Sequence, residues 1–122
     1  GTDAVTWHFA GLQNPGRFLA AQFLAVAIPE ELFFRGILQP GLDGACRWRR
    51  RVFGAETGPG LFLAATVFGA CHIVLSPTVV SAWLVIFPGL LFGWLYARRR
   101  SLVGPVIAHV ACNLSMACFP PA

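Results

Sequence analysis

The chain has 122 residues, of which 57% are hydrophobic and 11% charged, and a net charge of +4 carried entirely by arginine. Soluble domains hold roughly 25% charged residues, so this composition excludes an ordinary water-soluble core and suits a chain covered by lipid. Seven of the nine arginines form two clusters, Arg47/Arg49/Arg50/Arg51 and Arg98/Arg99/Arg100, with only Trp48 as an interleaved aromatic, so no nucleic-acid partner is expected.

Residues 1–16 read as an interfacial or loop segment, with Trp7 and His8 suited to a headgroup region and Asn14-Pro15-Gly16 as a turn signal. No signal-peptide pattern opens them. Residues 17–119 read as one all-α unit, a polytopic transmembrane helical bundle of about four spanning helices, with 120–122 as a tail. The first span runs from Arg17 to about Gln39, apolar but for Gln22 and a charged trio, with Pro29 expected to kink it. The loop 41–60 holds the first arginine cluster and leaves room for a short surface helix. The second apolar segment covers 61–75 and ends at Ser76-Pro77. The third covers 79–97, contains Pro88 and the spacing Gly89-x-x-x-Gly93 that lets helices approach closely, and is closed by Arg98–Arg100. The fourth covers 101–119. Cys46, Cys71, Cys112 and Cys118 show no regular spacing and read as small buried residues.

Four spans put the loops after spans one and three on one side of the membrane, and those loops hold both arginine clusters. The positive-inside rule makes that side cytoplasmic in an integral membrane protein. At about 1.5 Å per residue, Glu30 then lies about 15 Å deep, His72 about 16 Å and His109 about 12 Å, one shared level.

The first span carries the chemistry. An ionisable group at bilayer depth costs at least roughly 2.5 kcal/mol, so Glu30, Glu31 and Arg35 need partners or a task. Glu31 and Arg35 stand four apart on one helix face and can neutralise each other. Glu30 is turned about 100° away and needs a partner from elsewhere in the chain. Taken alone, such a trio reads as a buried ion-pair network that locks helices together. Two further spacings alter that reading: Phe68-x-x-x-His72 and His109-x-x-x-Asn113 each place two side chains on one helix face. A single helical histidine is more often structural than catalytic. Two of them at the level of two glutamates, an arginine and an asparagine make a polar centre with few innocent explanations.

In order and rough spacing, Glu30-Glu31-x-x-Phe34-Arg35-Gly36, Phe68-x-x-x-His72 and His109-x-x-x-Asn113 resemble the three motifs of the CAAX protease and bacteriocin-processing family of intramembrane endopeptidases. The approach from Gly93 to His109 also resembles that family, apart from a third arginine where a Thr-Gly turn is common before Ser101. The resemblance implies that Glu30 and His72 activate a water while His109 and Asn113 polarise the scissile carbonyl or hold the oxyanion. Phe68 then walls the pocket, and Glu31 with Arg35 fixes the helix and orients Glu30. The implied partners are a peptide or protein substrate in the membrane and the lipid bilayer itself. A metalloprotease remains the competing assignment, because Glu30, His72 and His109 resemble the three protein ligands of a catalytic zinc. The metal-free glutamate mechanism is preferred, since the HExxH spacing is missing and zinc leaves Asn113 unexplained. A proton- or ion-coupled carrier subunit and an inactive family member acting as a membrane adaptor are the alternatives from other classes. The lack of an inverted repeat argues against the first, and the full set of motif residues against the second.

Overall fold

The computed structural model describes residues 14–75 and 79–118, which are helical apart from one small hairpin. The readings made for Trp7, His8 and Ser76-Pro77 lie outside the described residues. Helix α1 (Pro15–Ala21) starts where a turn was expected. Asn14 Oδ1 accepts the backbone N–H of Arg17 at 3.1 Å and Pro15 occupies the first helical turn, so Asn-Pro-Gly is a helix cap. The helical path then continues through a π-helical stretch (Gln22–Ala27), α2 (Ile28–Phe33), a second π-helical stretch (Phe34–Leu38) and α3 (Gln39–Ala45).

Both π stretches have the same cause. Each lies just before a proline, Pro29 or Pro40, and each closes on an N–H bonded five residues back, Ile28 to Phe23 O and Gln39 to Phe34 O. Proline lacks a donor and its ring crowds the carbonyl four residues earlier, so wider winding upstream relieves the clash. The kink expected at Pro29 takes this form.

The wound path gathers Glu31, Arg35, Gln39 and Asp43, spaced four apart, into one fully buried or nearly buried polar stripe, while Leu24, Leu32, Phe33 and Ile37 on the same path are exposed. The stripe docks on backbone. Helix α4 (Pro59–Leu75) receives Asp43, whose Oδ1 accepts the N–H of Gly60 at 2.7 Å and thereby caps that helix from another element. Helix α5 (Val79–Arg99) receives the other two: Arg35 Nη2 donates to Gly89 O, and Gln39 Nε2 donates to Gly93 O at 3.1 Å. The Gly-x-x-x-Gly spacing therefore exposes two carbonyls to two donors at matching spacing. A Cβ on Gly93 would stand 2.5 Å from Leu61 Cδ1 and 2.8 Å from Gln39 Oε1, which shows how close the approach is.

Between α3 and α4 the structure has an antiparallel hairpin, β1 (Arg50–Val52) and β2 (Ala55–Thr57), within the stretch read as a loop with room for a short surface helix. Its turn residues Phe53 and Gly54 have φ of 47° and 82°, the backbone of a tight two-residue hairpin turn. Phenylalanine disfavours that conformation, so anchoring from outside has to stabilise it. Thr57 Oγ1 donates to Arg50 O, Trp94 Nε1 donates to Val52 O at 2.8 Å, and the Arg49 guanidinium donates to the carbonyls of Asp43, Cys46 and Trp48. Arg100, with φ of 52°, ends α5 in the left-handed position, its N–H bonded to Tyr96 O.

Helix α6 (Val103–Cys118) packs on the first helical path through Ala27, Val106 and Val110, while Phe34, Phe68 and Phe92 form an aromatic core among α4, α5 and that path. Two cysteine readings are corrected: Cys46 and Cys71 are exposed, and Cys112 is half-buried. Among the described residues no helix is long and apolar enough to cross a membrane.

Candidate active site

Glu31 and Arg35 pair as their spacing requires. Arg35 Nε lies 3.3 Å from Glu31 Oε2 with both side chains fully buried. The guanidinium is enclosed by the rings of Phe34, Phe68 and Phe92, with centroids 5.8, 5.1 and 5.6 Å from its carbon, so aromatic faces supplement the carboxylate and the Gly89 carbonyl. Phe68 thus does more than wall a pocket, because it also covers the cation.

His109 joins the two glutamates. Its Nδ1 lies 2.8 Å from Glu31 Oε1 and its Nε2 lies 3.4 Å from Glu30 Oε2. A carboxylate only accepts, so Nδ1 carries a proton and donates it to Glu31, which fixes the ring. The longer contact is well beyond the 2.7–2.9 Å of a strong charge-assisted bond, so Nε2 remains open to another partner. Phe92 stacks on the His109 ring at 5.1 Å and 13°, and Phe68 meets it edge-on at 5.7 Å. Two carboxylates, one guanidinium and one imidazole thus make up the cluster. Glu30 is the most accessible of the four, with 34% of its side chain exposed.

His72 is held by its own helix. Its Nδ1 lies 2.7 Å from Phe68 O, and since a carbonyl can only accept, Nδ1 carries a proton and the bond leaves Nε2 unengaged by Phe68. Phe68 also packs on the ring at 4.6 Å. Asn113 Nδ2 donates to Gln22 Oε1 at 2.8 Å.

A cavity of about 90 Å³ is lined by Phe68, His72, Val85, Pro88, Phe92, His109, Cys112 and Asn113. It thus collects His72, His109 and Asn113. Glu30 is not among its lining residues and reaches it through His109; among the described residues it makes no hydrogen bond to His72. The volume accepts several waters but not a peptide, so a scissile bond has to approach from the open side of the site.

The same geometry bears on the zinc alternative. Both ring nitrogens of His109 face carboxylates, and among the described residues no three His, Cys, Asp or Glu side chains are grouped closely enough to hold a metal. The residues as arranged do not make a ligand set.

Residues 13–115 match the family model described as type II CAAX prenyl endopeptidase Rce1-like. The chain belongs to this family. Its members are membrane proteases, in agreement with the resemblance carried by the three motifs. No curated protein and no solved structure matches the chain.

Within this Rce1-like chain, three buried or half-buried polar residues escaped sequence reasoning. Gln39 and Asp43 continue the four-residue spacing of Glu31 and Arg35, a signal present in the sequence as a polar residue on every fourth position. Gln22 breaks that spacing, because a π-helical stretch lies between it and the motif.

Proposed function

We propose that the chain is an intramembrane endopeptidase that cleaves a peptide bond of a membrane-associated substrate, such as a prenylated C-terminal tail, with water activated by Glu30 and His72. The observation that carries this reading is the cavity shared by His72, His109 and Asn113, with the Glu30 carboxylate against His109. Glu30 takes the proton of a water that His72 Nε2 helps to hold, and the water oxygen bonds to the scissile carbonyl carbon. His109 Nε2–H and the second Nδ2–H of Asn113 donate to the oxyanion that develops. As the C–N bond breaks, Glu30 returns the proton to the leaving amine, and the carboxylate is restored. Glu31 acts through His109, accepting its Nδ1–H and so orienting the ring, which offers an N–H at Nε2 when both of its nitrogens carry a proton.

Placement in the bilayer is supported by the inverted distribution of side chains. Glu31, Arg35 and Gln39 are inside, while Leu24, Ile37, Phe87 and Ile107 are outside. The bond from Trp94 to Val52 brings the hairpin beside the last turns of α5, so both arginine clusters lie at one end of the molecule, which we assign to the cytoplasm.

The test is product analysis by mass spectrometry after incubating the detergent-solubilised protein with prenylated and unprenylated tail peptides. A single cut by the native chain and none by Glu30→Gln is expected. Undiminished cleavage by Glu30→Gln would sink the mechanism. A strong chelator is expected to leave the rate unchanged; loss of activity restored by zinc alone would replace the water-activating glutamate with a metal.

A further inference from the structure

Gln22 is a polar residue in an apolar helical path, and the proposed reaction leaves it without a task. On an uninterrupted α-helix it would stand roughly two and a half turns before Glu31, on the opposite face. The π-helical stretch Gln22–Ala27 winds more slowly and closes most of that offset, so the side chain meets α6 at Asn113 instead of facing away. Asn113 in turn stands one turn beyond His109 on the wall of the cavity.

A primary amide has two N–H donors and a carbonyl acceptor. Unrestrained, the Asn113 side chain can rotate to present either its nitrogen or its oxygen to the cavity, and an oxygen there would repel a developing oxyanion. The bond from Asn113 Nδ2 to Gln22 Oε1, at 2.8 Å, removes that freedom by engaging one N–H and fixing the sense of the amide. We infer that Gln22 is a positioning residue, which holds Asn113 so that its second N–H faces the reacting carbonyl. The inference rests on the reading of Asn113 as an oxyanion donor. It accounts for a polar side chain at this position and gives the π-helical stretch before Pro29 a functional consequence.

The experiment is a double-mutant cycle on the full chain with a cleavable tail peptide, reading kcat and KM separately, with thermal unfolding beside each variant. Gln22→Leu is expected to lower kcat by about 10–100-fold with KM nearly unchanged, as for a small misplacement of a catalytic group. Gln22→Glu, which keeps an oxygen that accepts from Asn113, is expected to retain most of the native kcat and to serve as the folded control. In an Asn113→Ala background, Gln22→Leu is expected to cause no further fall. An equal fall in both backgrounds would make Gln22 purely structural and overturn the inference, as would Gln22→Glu being as impaired as Gln22→Leu. Native kcat in Gln22→Leu with Asn113→Ala inactive would overturn the positioning role alone, whereas native kcat in Asn113→Ala would remove the oxyanion reading and this inference with it.

Discussion

The two ends of the buried polar stripe use the same kind of residue for different ends. At Gln39 and Asp43 each side chain is bonded to backbone, Gly93 O and Gly60 N, and the partner is available only because a glycine lets the helices touch. At Glu30 and Glu31 the partner is another side chain, His109, which can change its bonding without moving a helix. Arg35 stands between and does both, pairing with Glu31 and with Gly89 O. Bonds to backbone set the spacing of α4 and α5 against the first helical path, while bonds between side chains remain free to handle protons. Damage at one end is therefore expected to cost folding and damage at the other to cost activity.

The largest effect tests the anchoring end. In Gly60→Ala the new Cβ would run into the carbonyl oxygen of Gln39, a backbone atom that cannot step aside, and into Asp43. A loss of more than about 4 kcal/mol is expected, seen as collapse of folded yield in detergent. Near-native unfolding of this variant would show that the contact between α3 and α4 is looser than described.

Arg35→Met comes next. It leaves Glu31 buried without its cation, and removing one partner of a buried pair costs about 3–5 kcal/mol. The double variant Arg35→Met with Glu31→Leu is expected to regain stability but not activity, since His109 loses the carboxylate that orients it. Recovery of cleavage in the double variant would contradict the role given to Glu31.

The neighbouring carboxylates then divide the comparison at one point in the chain. Glu30→Gln is expected to lower kcat by about 10²–10⁴-fold, as loss of a general base does, with thermal unfolding close to native. Glu31→Gln is expected to lower both activity and unfolding temperature, because its carboxylate serves Arg35 and His109 at once. Parallel loss of folded protein in the two variants would show that Glu30 belongs to the scaffold.

The smallest effect is expected at Gly93. A Cβ there meets the ends of the Leu61 and Gln39 side chains, which can shift, so Gly93→Ala is expected to cost about 1–3 kcal/mol, read as a lower unfolding temperature with cleavage retained. A loss as large as that of Gly60→Ala would mean that the side chains at this contact are as fixed as backbone.

By itself the sequence determined what depends on neighbours along one helix. A four-residue spacing fixes a shared face whatever the tertiary fold, so the pairing of Glu31 with Arg35, the placement of Phe68 with His72 and of His109 with Asn113, and the close approach at Gly89 and Gly93 were all legible. The helical class followed from the long apolar runs for the same local reason. Only the tertiary structure decided what depends on packing between helices: that Glu30 faces His109, that Glu31 shares that histidine, and that Gln39 and Asp43 reach across to glycine backbone. Gln22 was hidden because the π-helical stretch before Pro29 widens the winding between it and Glu31, which changes the face a residue occupies without changing the sequence pattern around it. The hairpin was hidden because Phe53 has no intrinsic preference for its backbone conformation, and the bond from Trp94 on a distant helix helps hold it there.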